Sequence, residues 1–191
     1  MKATRRGIRA ALAALLLATG SAASAAEPPP PPARELPQNW LQAPVLRLWP
    51  GAAQGEGYSA TTPPQGWSAA YVRNVESPTL HVFRPAQPNG HAVLVIPGGA
   101  YWFVSVANEG AELAPLLTER GYTVFVLTYR LPGEGWAQRA QVPLQDAQRA
   151  MRLVRSQAAP FGFDAATVSV IGFSAGGHLA ATLATRHAQP T

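Results

Sequence analysis

Residues 168–178 read VSVIGFSAGGH, and this stretch decides the fold. Residues 168–171 form a short, β-branched apolar run, which is typical of a strand buried on both faces of a parallel sheet. Residues 174–186 are rich in Ala and Leu and predict a helix. A G-x-S-x-G pattern at residues 172–176 therefore joins a predicted strand to a predicted helix.

The G-x-S-x-G pattern places Ser174 on a tight turn, which is the setting of a nucleophile elbow. Such a turn strains the backbone of the serine, and a side chain at Gly172 or Gly176 would crowd it. The hydroxyl is then lifted above the carboxyl edge of the sheet, where open α/β sheets bind ligands. We predict that Ser174 is a nucleophile; the alternative is an unreactive turn of small residues.

A second glycine turn, Pro97-Gly98-Gly99-Ala100-Tyr101, follows another apolar run at residues 92–96. Acyl transfer builds negative charge on a carbonyl oxygen, and fixed N–H donors must meet that charge. We predict an oxyanion hole in which Gly99 and Ala100 supply N–H donors from this loop and Ala175 supplies the other. The alternative is an ordinary turn between a strand and a helix.

The rest of the chain alternates apolar strands with helical stretches. We predict strands at residues 70–75, 79–84, 92–96, 123–129 and 168–171, and helices at residues 109–120, 143–158 and 174–186. Pro115 inside the first helix indicates a kink or a later start. Buried strands that alternate with helices predict an α/β fold with a mostly parallel sheet and right-handed crossovers.

The 191 residues suffice for one domain or part of one. Residues 1–26 are typical of a secretory signal peptide, with a charged start, an apolar run and small residues before the cleavage point. The apolar run is much shorter than the ~20 residues of a membrane-spanning helix. We therefore predict a periplasmic or secreted bacterial protein, cleaved after Ala25 or Ala26; the alternative is an uncleaved amphipathic anchor.

Residues 27–66 form a proline-rich arm ahead of a globular domain at residues 67–191. Five consecutive prolines at residues 28–32 predict a stiff polyproline II spacer. The later part of the arm, around Trp40 and Leu48, is too apolar for a free linker. We expect it to lie over the globular domain.

Composition excludes several classes of function. The formal net charge is +5, but four positive charges lie within the first nine residues, and beyond residue 26 the balance is 11 − 10 = +1. No basic field remains to attract nucleic acid. The chain has no Cys, which excludes disulfide scaffolds and thiolate metal sites. We find no metal-ligand spacing and no nucleotide-binding glycine motif, so we predict no metal and no cofactor.

Together these motifs resemble the α/β-hydrolase superfamily, and within it the bacterial exported esterases of the acetylxylan-esterase/feruloyl-esterase-like group. The resemblance spans about residues 46–186 and is carried by LWPG (48–51), LHVFRP (80–85), VIPGGAY (95–101), YRLP (129–132) and GFSAGGHL (172–179). It implies a serine carboxylesterase that forms an acyl-enzyme at Ser174, with acetyl esters of plant polysaccharides as substrates. PGGA at residues 97–100 stands where hormone-sensitive-lipase-like relatives have His-Gly-Gly-Gly, which argues against that branch.

A serine nucleophile needs a base, and the base needs an orienting acid. In α/β-hydrolases both follow the serine in the chain, but no Asp or Glu follows Ser174 here. Asp146 precedes it and is interpreted as a structural residue in a first helical turn. Asp164 also precedes it and is interpreted as a turn or cap residue. The triad acid is therefore absent from this chain.

The histidines give no better base. His81 and His91 lie in or beside strands, and nothing orients His187 near the end of the chain. His178 comes four residues after Ser174, and we expect it to pack beneath the elbow. We therefore expect the N-terminal part of a hydrolase, inactive by itself.

Three functions stay open at this point. They are a serine carboxylesterase, an exopeptidase or oligopeptidase on the same fold, and a non-catalytic secreted protein that binds carbohydrate or acyl ligands. An Asp and then a His in the coding sequence beyond Thr191 would favour an enzyme. Hydrolysis of aryl acetates against aminoacyl anilides would separate an esterase from a peptidase.

Overall fold

The computed structural model describes residues 31–51 and 56–188. The predicted signal peptide and the first residues of the proline run lie outside the described residues. None of the helices in the described ranges is long and apolar enough to cross a membrane.

The described residues form seven strands and five α-helices. The strands are β1 (Val45–Arg47), β2 (Tyr71–Val72), β3 (Thr79–Phe83), β4 (Ala92–Ile96), β5 (Val104–Ser105), β6 (Thr123–Thr128) and β7 (Val168–Gly172). The α-helices are α1 (Gln38–Gln42), α2 (Leu113–Thr118), α3 (Val142–Ser156), α4 (Ala158–Phe161) and α5 (Ala175–Arg186). A π-helix (Ala107–Ala111) precedes α2, and a 3₁₀-helix (Ala165–Thr167) precedes β7.

Five strands form the main sheet in the order β1-β3-β6-β4-β7. β4 pairs in parallel with both β6 and β7, which agrees with the predicted parallel core. β3 and β1 extend the sheet with antiparallel pairings. Every residue of β4 and β6 is buried, whereas burial alternates along β3. This difference is expected between strands that are covered on both faces and an antiparallel strand with one less covered face.

Two strand predictions need correction. β7 is not buried on both faces: its residues are half-buried or exposed, because among the described residues it pairs with β4 alone. The strand predicted at residues 70–75 shrinks to β2, which pairs with β5 in a separate two-stranded sheet. Both segments are apolar, as predicted, but burial depends on neighbouring elements that a local pattern does not reveal.

The proline-rich arm contributes elements that the sequence did not predict. β1 pairs with β3, and α1 places Trp40 in the core at 6% exposure. The Trp40 ring stacks on His81 with centroids 3.6 Å apart, and Leu48 is completely buried. This part of the arm therefore belongs to the sheet and its core.

Two helices show how proline sets a helix start. The predicted helix at residues 109–120 divides into the π-helix and α2, and Pro115 falls in the first turn of α2. There its missing N–H has no intrahelical partner in any case. The later start is thus confirmed. α3 closely follows its predicted range, with Pro143 in its first turn as expected.

The two aspartates have structural roles, as interpreted. Asp146 is the fifth residue of α3 rather than part of its first turn, and it is completely buried with Arg130. Its Oδ1 lies 2.8 Å from Arg130 Nη2 and accepts the Trp49 Nε1–H at 2.9 Å, while Oδ2 accepts the Arg130 backbone N–H. Asp164 caps the 3₁₀-helix by accepting the Ala166 N–H at 2.8 Å.

Candidate active site

Ser174 lies between β7 and α5 with φ 47° and ψ −117°. An L-residue rarely adopts a positive φ, and such strain persists only where the surroundings fix it. The side chain is exposed, and its hydroxyl has no hydrogen-bond partner within residues 31–51 and 56–188. The serine is therefore presented to solvent on a strained turn, which is the geometry of an accessible nucleophile.

Close packing of backbone atoms holds this elbow in place. A Cβ on Gly172 would collide with the carbonyl oxygen of Gly176. A Cβ on Gly176 would collide with the carbonyl oxygen of Ile96 and lie 2.5 Å from that of Pro97. The two glycines let α5 begin directly against the carboxyl end of β4, so the elbow is fixed by close packing.

The loop at residues 97–101 lies against this elbow. A Cβ on Gly98 would be 2.5 Å from the Phe173 oxygen and 3.0 Å from Ser174 Cβ. The next three residues, Gly99, Ala100 and Tyr101, have φ values of 127°, 54° and 60°. Gly99 is needed there, because a Cβ would collide with the Phe103 oxygen. The loop therefore approaches the serine through its backbone.

The three predicted oxyanion donors carry no competing hydrogen bond. Among the described residues, the N–H groups of Gly99 and Ala100 have no acceptor. Ala175 is the first residue of α5, where an N–H has no intrahelical partner. Backbone N–H groups left free beside a nucleophile can stabilise a developing oxyanion.

Two side chains that the sequence analysis did not single out hold the loop. The Glu109 Oε2 atom accepts the Gly98 N–H at 2.6 Å. The buried Tyr129 hydroxyl donates to the Pro97 carbonyl at 2.9 Å, and burial raises the pKa of Tyr129, so this hydroxyl stays protonated. Tyr129 directly follows β6, the neighbour of β4, so its position at the shared carboxyl edge was a usable signal. Glu109 gave no comparable signal.

We predicted that His178 packs beneath the elbow, but the structure shows it exposed and facing Tyr101 of the neighbouring loop. Ala175, Leu179 and Leu183 face the core, and His178 lies at the border of that face, where Tyr101 is its neighbour. The His178 Nδ1 atom lies 2.8 Å from the Tyr101 hydroxyl and makes no hydrogen bond to the Ser174 side chain.

The other histidines are also no base for Ser174. His81 lies on β3 under Trp40, and burial lowers its pKa to about 4. His91 precedes β4 and packs near Tyr122. His187 follows α5, and its Nδ1 atom lies 3.1 Å from a backbone oxygen of the same helix. No histidine or carboxylate in the described ranges contacts the Ser174 hydroxyl.

Two cavities flank Tyr101. The larger, about 440 Å³, is lined by Tyr101, Pro132, Ala140, Gln141, Pro143, Leu144, His178, Leu179, Thr182 and Arg186. The smaller, about 170 Å³, is lined by Thr61, Arg73, Tyr101, Trp102, Leu131, Gly133 and Glu134. In the part of the chain that the structure describes, no group of three His, Cys, Asp or Glu side chains could hold a metal ion.

Comparison with known proteins places this geometry in context. The BD-FAE family model matches residues 80–191, more than half of the chain. An acetylxylan esterase of Xylanibacter ruminicola is 35% identical over 103 residues, which cover 54% of this chain and 21% of that protein. An ethyl acetate hydrolase of Pseudomonas putida is 33% identical over 109 residues, covering 55% of this chain and 33% of that protein.

A solved structure shares the fold. The acetyl ester-xyloside bifunctional hydrolase of Caldicellulosiruptor lactoaceticus has a TM-score of 0.54 and 28% sequence identity, over 75% of this chain and 47% of that one. The α/β-hydrolase fold is thereby confirmed, with flanking helices and a mixed sheet whose β6, β4 and β7 strands are parallel and whose β1 and β3 strands are antiparallel. This chain spans less than half the length of each of these three proteins.

Proposed function

We propose that this chain, which belongs to the BD-FAE family, is a serine carboxylesterase that forms an acyl-enzyme at Ser174. The observation that carries the proposal is the junction of two turns: an exposed serine on a strained elbow lies against a loop with two unpaired N–H groups. Nucleophile and oxyanion donors are the two groups that acyl transfer needs close together.

The reaction follows from these groups. Ser174 Oγ bonds to the ester carbonyl carbon, and the charge that develops on the carbonyl oxygen meets the N–H groups of Gly99, Ala100 and Ala175. Collapse of this intermediate breaks the bond to the alcohol and leaves the acyl group on the serine, from which water then releases the acid. A base accepts the serine proton and returns it to the departing alcohol, and in this superfamily the base and its orienting acid follow the nucleophile in the chain.

Short-chain acyl esters of carbohydrates, above all acetyl esters, are the proposed substrates. The names of the acetylxylan esterase and of the acetyl ester-xyloside hydrolase support this class.

Export to the periplasm or the medium is part of the proposal, because residues 1–26 have the pattern of a signal peptide. N-terminal sequencing of the mature protein tests this point. An N-terminus at Ala26 or Glu27 is expected, and an intact Met1 on exported protein would contradict it.

Replacing the serine tests the mechanism in the protein expressed from its whole coding sequence. We expect Ser174→Ala to lower hydrolysis of an aryl acetate on the order of 10⁶-fold, as loss of a triad nucleophile does elsewhere. Ser169→Ala, on the exposed face of β7, is the matched control and should keep full activity. Retained activity in Ser174→Ala would refute the assignment, and a preference for aminoacyl anilides would favour a peptidase.

A further inference from the structure

We propose that Glu109 is a positioning residue for the oxyanion loop, by which we mean residues 97–101. This inference rests on the proposed esterase reaction and assigns to it a residue outside both glycine turns. Glu109 contacts neither Ser174 nor the predicted donors. It binds the backbone N–H of Gly98, the residue before the donor Gly99.

The contact is strong and specific. Glu109 is half-buried, and its Oε2 atom accepts the Gly98 N–H at 2.6 Å. Hydrogen bonds to an ionised acceptor are shorter and about twice as strong as neutral ones. One N–H of the loop is thereby occupied, whereas the next two, of Gly99 and Ala100, stay unpaired.

Gly98, which Glu109 binds, is also the loop residue that packs against Ser174. The space beside its Cα is filled by the Phe173 oxygen and Ser174 Cβ, at 2.5 and 3.0 Å from an added Cβ. The position of Gly98 therefore sets how closely the loop approaches the serine. The three left-handed residues that follow it keep such a conformation only while their surroundings hold them.

The segment that carries Glu109 is itself rigidly placed. It is a π-helix, in which the N–H groups of Ala111 and Glu112 reach carbonyls five residues back. Short π segments occur frequently at functional sites. Gly110, the next residue, lies so close to β6 that an added Cβ would be 2.8 Å from Val126 Cγ1. The segment that carries the Glu109 carboxylate thus packs directly against the central sheet, beside the loop.

A purely structural role would predict a different outcome. If Glu109 only satisfied a buried N–H, its loss would lower stability and leave the rate of the folded protein unchanged. If it sets the donor geometry, its loss weakens contacts that are made in the transition state. Such a loss lowers kcat and leaves KM nearly constant.

The test compares Glu109→Ala, Glu109→Gln and Glu112→Ala in the protein expressed from its whole coding sequence. Removing one oxyanion donor reduces kcat by about 10²–10³-fold. We expect a fall approaching that size for Glu109→Ala, with KM changed by less than about threefold. Glu109→Gln keeps an acceptor and should retain most of the rate. Glu112, which pairs with Arg34 at the surface, is the matched control and should behave as wild type.

A second readout follows the hydrogen bond directly. The Gly98 amide proton should move upfield in the NMR spectrum and exchange faster in Glu109→Ala than in Glu109→Gln. Urea unfolding of each variant identifies loss of folding. If Glu109→Ala does not fold, Glu109→Asp takes its place, because its shorter side chain withdraws the acceptor from the Gly98 N–H; an unchanged kcat in folded Glu109→Asp would overturn the proposal.

The outcomes separate this inference from the proposed function. An active wild type, an inactive Ser174→Ala and an unchanged kcat in folded Glu109→Ala would overturn the role of Glu109 alone. A wild type without esterase activity would overturn the proposed function first. A rise in KM at constant kcat would also contradict positioning, because it would indicate substrate binding in both states.

Discussion

The two glycine turns of the site are built from similar residues but are held in different ways. The elbow at residues 172–176 is fixed by its own backbone, since Gly172 and Gly176 admit no side chain. The oxyanion loop is fixed partly from outside, by the Glu109 carboxylate and the Tyr129 hydroxyl. One turn depends on the absence of atoms, and the other depends on the presence of two side chains elsewhere in the chain.

This difference separates two kinds of sensitivity to mutation. A steric requirement fails sharply, because β4 and α5 cannot both move away from an added methyl group. A hydrogen-bonded anchor fails gradually, because each bond contributes about 1 kcal/mol and the loop can relax. Substitutions at the elbow should therefore act on folding, and substitutions at the anchors should act mainly on the loop.

The largest effect is expected for Gly176→Ala. The new Cβ meets the Ile96 and Pro97 oxygens, so we expect the free energy of unfolding to fall by about 3 kcal/mol or more. Gly177→Ala is the matched control one residue along α5, where the nearest atom is 3.3 Å away. In this control the close contact of the added Cβ with the Gly172 oxygen is offset by a gain in helix propensity of about 1 kcal/mol. Urea unfolding measures both, and equal midpoints would contradict steric fixation of the elbow.

Tyr129→Phe should have an intermediate effect. It leaves the Pro97 carbonyl without its buried donor, so the free energy of unfolding should drop by about 1–2 kcal/mol. Tyr122→Phe is the control, because the Tyr122 hydroxyl has no hydrogen-bond partner among the described residues. Thermal or urea unfolding checks the difference. If the two variants were equally stable, Tyr129 would not anchor the loop.

The smallest effect is expected for Ala100→Gly. Glycine relieves the cost of a left-handed φ, about 1–2 kcal/mol, and adds unfolded-state entropy of about 0.5–1 kcal/mol. The net change should be a stabilisation of at most about 1.5 kcal/mol. The same substitution at Ala180, inside α5, should instead destabilise by about 1 kcal/mol. Equal signs in urea unfolding would show that the loop is not strained at Ala100.

The sequence predicted the parts of the fold that local patterns specify. Continuous β-branched runs located β4 and β6, and apolar periodicity with Pro143 located α3. The elbow was predicted because its motif and its flanking elements agree. Strand direction and partners were not predictable in this way, so the antiparallel side of the sheet appeared only in the structure.

Within the site, the sequence indicated backbone roles better than side-chain roles. The glycines of a G-x-S-x-G pattern allow the tight turn between a strand and a helix, so the geometry of the turn was predictable. The position of His178 depends on the exact rotation of α5, which the motif does not specify. The contact between Glu109 and Gly98 spans 11 residues and a π-helix, and no periodic pattern reports on such a bond.

The buried pair of Arg130 and Asp146 has a consequence for how this sequence can evolve. Both side chains have 0% exposure, and removing one partner of such a pair costs about 3–5 kcal/mol because a charge is left buried. That loss is a large share of the stability of an ordinary domain. Single substitutions in this pair are therefore strongly disfavoured. An exchange of both residues for apolar ones of similar volume avoids the buried charge, but it must also supply new acceptors for the Trp49 Nε1–H and the backbone N–H of residue 130. Descendants of this chain should keep both residues or replace them together.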